Sequence, residues 1–320
     1  MNDSRKSKFR SRLFSAGLAL SLSLMTAALP AQARLARLVM LNYENEILAT
    51  DESYLRSIES EIRMVDSYGL ADIETYVFVR GESANASSDG GQVIFLPRTL
   101  VMEDGMYNNR HYKHMPDLLA VFSHEYGHQV FSDIMMRRVP GFLNLHTLDM
   151  QISQLLLQSI EPGLTREQRA HINKQINDIH VRIAADPRLR AMANITLPYN
   201  ELFADVIAVY AHNNKSAIYN ALWFPNMHTG SEEFVEARDF SREHSLASWR
   251  HTEVHILFSP FRSLIGNSRC WPRNFNEAKE KLNQLADLLV EDITIQLEKN
   301  ETPPISKNGE LMERFRTLCR

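Results

Sequence analysis

Two histidines lie four residues apart with a glutamate directly after the first at Ser123-His124-Glu125-Tyr126-Gly127-His128. On an α-helix, positions i and i+4 are separated by about 40° around the axis and roughly 6 Å along it, so both imidazoles can reach one metal ion. Glu125 then stands beside that ion, where a carboxylate can take a proton from water that the metal has made more acidic. These residue types at this spacing predict metal-assisted hydrolysis of a peptide bond. His124 and His128 are the expected ligands, Glu125 the general base, and one Zn2+ per chain the cofactor.

With twelve histidines in 320 residues, such a triplet arises by accident on the order of a few per cent of the time. Its setting argues against accident. Leu118-Leu119-Ala120-Val121-Phe122 precedes the motif and Val130, Phe131 and Ile134 follow it, so the polar residues interrupt a long apolar helix where they need partners. A hydrolytic zinc site takes three protein ligands and keeps one position for water, which calls for a third ligand elsewhere. Asn200-Glu201-Leu202-Phe203-Ala204-Asp205 supplies two carboxylates at i and i+4 on an otherwise apolar stretch. Glu201 is the expected ligand, and Asp205 the acceptor that fixes the tautomer of a ligating histidine. His111 and His114 lie in a segment that reads as loop, where histidines are usually solvated, and they are not expected to bind metal.

The pairing of these two motifs resembles the gluzincins, in which a second helix carries a Glu ligand followed four residues later by an Asp. Within them it is similar to the HtpX-type and CAAX-prenyl-protease-type metallopeptidase family. Asn85-Ala86, the Gly-led strand Gly91-Gln92-Val93-Ile94-Phe95-Leu96, the helix entry Leu118 to Glu125 and the Glu-x-x-Ala-Asp element Glu201 to Asp205 carry the resemblance. It implies an α+β, mostly helical zincin-like metallopeptidase domain with a small β-sheet whose edge strand borders the cleft. Val93, Ile94 and Phe95 would pair with an extended polypeptide substrate. Family members also carry a His-Pro segment and an Arg downstream, which points to His255 as donor to the oxyanion and to Arg262 as its support, with His251 as the alternative histidine. The chain departs from relatives that have transmembrane helices, a lipid-attachment cysteine or a helical-repeat domain, so their cellular roles are not carried over.

The elements that must position these groups are legible in outline. Leu55, Ile58, Ile62 and Val65 predict a helix over 51–68, capped by Asp51 or Ser53 and ended at Gly69. Strands are expected over Ile73–Val79 and Gln92–Leu96, with an irregular loop over 103–116. A helical insertion, about 141–187, holds one helix from Leu143 to Ile160. A second is opened by the Thr165/Gln168 capping box, striped with Ile172, Ile176, Ile179 and Ile183, and stopped by Pro187. That hairpin is expected to wall the cleft. Pro198 introduces the helix of Glu201, and residues 275–298 form a last long helix within a helical C-terminal part, about 270–320.

Arg5, Lys6, Lys8, Arg10 and Arg12, an apolar run from Leu13 to Leu29 and Ala31-Gln32-Ala33 have the order of a signal peptide, with cleavage expected after Ala33. The mature chain, 34–320, is then one exported metallopeptidase domain, periplasmic or extracellular, with no stable membrane span. Loss of five basic residues and Asp3 takes the net charge from −4 to −8, which disfavours nucleic acid and anionic membrane as partners. Two cysteines in an exported chain predict a Cys270–Cys319 disulfide. The alternative function is a catalytically silent zinc-site scaffold, an exported binding or chaperone-like protein, for which an intact Glu125 would be superfluous.

Overall fold

In the computed structural model the description covers residues 34–42, 46–104, 109–227, 229–244 and 253–319, which belong to one compact unit. The expected signal peptide and its cleavage site after Ala33, and the alternative His251, lie outside these residues. The chain is α+β and mainly helical. Among the described residues no helix is long and apolar enough to cross a membrane.

A four-stranded sheet forms first. Strand β1 (Arg34–Leu41) pairs in parallel with β2 (Glu74–Arg80), and the crossover between them is α1 (Glu52–Asp66). The Asp51 carboxylate accepts from the Ser53 and Tyr54 backbone N–H groups at the start of α1, as expected of an N-cap, and Ile58, Ile62 and Val65 face the core. Gly69, with φ of 67°, ends the turn after it. Next come the short strands β3 (Glu82–Ser83), β4 (Ser87–Ser88) and β5 (Val93–Leu96). The sheet runs β1-β2-β5-β4.

This order corrects the expected substrate strand. Val93, Ile94 and Phe95 lie inside the sheet, paired in parallel with Tyr76, Val77 and Phe78 of β2, while Ile94 and Phe95 also pair antiparallel with Ser88 and Ser87 of β4. Their apolar composition reflects burial on both faces. Val93 and Ile94 are fully buried, and Phe95 packs edge-to-face on Phe78. The polar pair Ser87-Ser88 is the edge. Strand β6 (Thr99–Asp104) joins β3 and β7 (Asn109–Tyr112) in a second small sheet, so part of the segment read as irregular loop is strand. The side chains of β7 are largely exposed, and so give no alternation to read.

Helix α2 (Met115–Arg138) runs through the middle of the core and is buried on nearly all sides from Leu118 to Met135. After it come α3 (Phe142–Ser159) and α4 (Arg166–Ala185), the expected hairpin, with the Thr165/Gln168 capping box formed. On α4 only Ile172 is buried; Ile176, Ile179 and Ile183 are half-covered. Pro187 starts rather than stops a helix. Helix α5 runs unbroken from Pro187 to Ala211 through Pro198, with Asp186 as N-cap. A proline inside a helix costs roughly 3 kcal/mol in isolation, and burial from Ile195 to Tyr210 offsets it here. The remaining helices are α6 (Ala217–Leu222), α7 (Thr229–Glu236), α8 (Ser259–Gly266), α9 (Phe275–Lys299) and α10 (Lys307–Arg316). The Cys270–Cys319 disulfide is formed and ties the approach to α9 to the residues after α10.

Candidate metal centre

The site lies where α2 crosses α5, and the crossing is close because Gly127 has no side chain. A Cβ there would stand 2.8 Å from the Ala204 Cα. His124 and His128 project one turn apart from α2, with their Nε2 atoms 3.0 Å apart. From α5, Glu201 brings Oε2 to 3.5 Å from His124 Nε2 and Oε1 to 3.6 Å from His128 Nε2. All three residues are at most 9% exposed, and their candidate ligand atoms lie within 4.8 Å of one another. Two imidazoles and one carboxylate are a donor set of the hydrolytic zinc kind. Glu201 Oε2 is buried with imidazole nitrogens of His124 at 3.5 Å and His255 at 3.2 Å beside it, and a buried carboxylate so placed suits a cation. This group can hold a metal ion.

The surroundings set the charge state of each member. Burial pushes the His128 imidazole down, and Glu201 only partly restores it, so it favours the neutral form that binds metals. The Asn200 side chain beside it also opposes that fall. His124 Nδ1 lies 3.0 Å from Asp205 Oδ1, the contact expected to fix its tautomer. Burial would raise Asp205, but Arg238 and Arg262 on either side, with His124, hold it far below the usual carboxylate range. Arg238 Nε donates to Asp205 Oδ1 at 3.0 Å, and Arg262 Nε to Asp205 Oδ2 at 2.8 Å. Glu201, likewise buried, is held low by His128, His124 and His255.

Glu125 is different. Burial pushes it up to about 7, with Glu201 adding to the rise and His128, Arg238 and the Ser88 backbone opposing it. A carboxylate with that affinity can hold and return a proton near neutral pH.

His255 comes to the same place. Its Nε2 is 3.2 Å from Glu201 Oε2 and its Nδ1 contacts Glu253 Oε1. Burial lowers its affinity for a proton, but hydrogen bonds to Glu201 and Glu253 outweigh that and raise it to about 9. Arg262, fully buried, donates from Nη1 to the His255 carbonyl at 2.8 Å, so it holds the histidine segment and does not line the cleft.

A cavity of about 290 Å³ opens over the cluster, bordered by Ser87 and Ser88 of β4, Glu125, Leu197, Arg238 and His255. Val93, Ile94 and Phe95 do not line it, and neither does the α3–α4 hairpin. The hairpin acts indirectly. Ser153 of α3 donates to Asp89 Oδ2 and accepts from the Gln92 N–H, anchoring the turn that carries the β4 edge. His111 and His114 stand apart from the cluster. Sequence reading passed over Arg238, Glu253, Asn200 and the Ser87-Ser88 edge. Asn200 had a visible signal, its place next to Glu201; Arg238 bears no spacing relation to either motif.

Compared with known proteins, the chain matches no family model, no curated protein and no solved structure.

Proposed function

We propose that the mature chain is an exported, zinc-dependent endopeptidase. One observation carries the reading: His124, His128 and Glu201 converge on one point, and Glu125, with a proton affinity raised to about 7, faces the same cleft beside an outer strand. Zinc held there would polarise a scissile carbonyl and make water acidic enough to attack it. The resemblance to the HtpX-type and CAAX-prenyl-protease-type gluzincins supports the choice of metal and of substrate.

Each residue then has a task. Glu125 takes the proton from the attacking water and passes it to the leaving amine. Asp205 holds His124 in the tautomer that offers Nε2. His255, which Glu253 holds through Nδ1, donates from Nε2 to the oxygen on which negative charge develops. Arg262 keeps its backbone in place. Ser87 and Ser88 present the strand edge along which an extended peptide lies. The cystine supports the exported setting, because such bonds persist in oxidising compartments.

The test is hydrolysis of a mixed peptide library by the zinc-loaded mature chain, with Glu125→Gln as the comparison. Cleavage by the wild type and loss of at least 10²-fold in Glu125→Gln at equal zinc content is the expected outcome. Equal turnover by both would remove Glu125 from the chemistry. Zinc binding with no cleavage of any peptide would favour the silent exported scaffold.

A further inference from the structure

A second cavity, about 550 Å³, opens next to the one over the metal cluster, and Asn85 and Leu222 line both. Its walls are apolar side chains brought from separate parts of the chain: Met102 of β6, Leu222 of α6, Met227, Phe234 and Val235 on or near α7, and Ile256 before α8. The charged residues lining it are both acidic, Glu233 and Glu253, and Glu253 is engaged by His255. A pocket of this size and lining favours a large uncharged side chain and disfavours a carboxylate.

Two observations join it to the chemistry. Phe234 forms part of its wall and also meets the His255 ring edge-to-face at 4.5 Å, with the Arg238 guanidinium 5.6 Å from the ring centre. One aromatic ring thus touches the pocket and two residues of the cleft. The second observation is direction along the strand edge. Ser87 and Ser88 border the metal cleft, Asn85 borders both cavities, and Ala84, just before it in the chain, borders the second. An extended peptide paired with β4 advances about 3.3 Å per residue, so it reaches the cavity within about two to four residues of the metal.

We infer that this cavity is the specificity pocket of the site, and that it takes a Leu, Ile, Met or Phe side chain of a polypeptide substrate close to the bond that is cut. The inference rests on the peptidase reading for its substrate, but its test does not depend on turnover. Two measurements are made with zinc-loaded protein. One is the ratio of kcat/KM for dodecapeptides of Ser, Thr and Gln with a single central Leu, Ala or Glu. The other is binding of the same peptides, fluorescein-labelled, to the Glu125→Gln protein by anisotropy.

The Leu peptide should exceed the Ala peptide by about 10- to 100-fold and the Glu peptide by more. Met102→Trp, which fills the pocket from one wall, should collapse the Leu-to-Ala ratio toward one. Met227→Trp, filling it from another wall, repeats the test should the first variant fail to fold. Selective binding of Leu without cleavage by wild type would uphold the pocket and sink the peptidase reading. Cleavage or binding that ignores the central residue, or a ratio that both tryptophan variants leave intact, would overturn the pocket and leave the peptidase reading standing.

Discussion

Three carboxylates share the buried volume around the metal cluster, and their surroundings separate them. Asp205 sits between two guanidiniums and stays ionised; Glu201 is held ionised by histidines; Glu125, with less cationic support, rises to about 7. On the proposed reading, ligand and general base are thereby distinguished by environment, since the side chains of Glu201 and Glu125 are identical. On the peptidase reading His255 is the donor to the developing oxyanion, and His255→Ala should lower kcat by about 10²- to 10³-fold with zinc content unchanged. Steady-state kinetics beside metal analysis checks this, and unaltered kcat would assign the oxyanion to another donor. The motif residues were legible because i,i+4 spacing forces them to one helix face. Arg238 was not, because its partner Asp205 lies 33 positions away and buried ion pairs of that separation leave no period in the sequence.

At the scale of elements, the site depends on how closely α2 and α5 approach. Gly127→Ala puts a methyl group against Ala204 backbone, so it should destabilise by about 1–3 kcal/mol and weaken zinc binding by shifting Glu201 away from the histidines. A thermal melt with a zinc competition assay reads both; unchanged values in both would show that the crossing tolerates a side chain. The support of the β4 edge adds a pH dependence. Asp149 of α3 lies beneath Gly90, and burial, then Asp89, pushes it up to about 7 from an ordinary 3.8. A carboxyl raised on folding contributes stability that is complete below about pH 4 and is lost as pH climbs through 7. Asp149→Asn should therefore gain about 1–2 kcal/mol over wild type at pH 8, less than the full shift because the group is partly solvated, and nothing at pH 4. Urea melts at the two values decide it, and an equal effect at both would contradict the assignment. Helices with an apolar stripe, such as α1 and α9, could be read from sequence, and α2 from the apolar run that encloses its motif. The sheet edge could not, because a buried apolar strand like β5 and an outer polar one like β4 are told apart only by their neighbours. Pro198 misled for a similar reason: local propensity marked a helix start where tertiary burial carries α5 straight through.

For the whole molecule, the sheet and its short companion strands occupy the first third of the described chain, α2 and α5 carry the ligands, and the C-terminal helices close the core behind them. The cystine joins residues 49 apart, so its reduction should cost up to about 4 kcal/mol of stability by the loop-entropy relation. Its two cysteines are remote in sequence from the ligands, and the reduced protein should keep its zinc at temperatures where it stays folded. Thermal melts with and without reductant, followed by metal analysis, test this; a melt insensitive to reductant would mean that the bond is not a significant constraint. The α+β class and the pairing of cysteines were readable because composition and cysteine count restrict them strongly. Strand β1 at the other edge of the sheet was not, since Arg34 to Leu41 follows a segment that reads as a leader and has no clean alternation. The central claim is that His124, His128 and Glu201 together hold one zinc ion. Native mass spectrometry of the purified mature chain with stoichiometric zinc tests it most directly. One zinc per wild-type chain, and its loss from a folded Glu201→Ala variant, is the predicted result; full zinc occupancy in Glu201→Ala with unchanged affinity would contradict it.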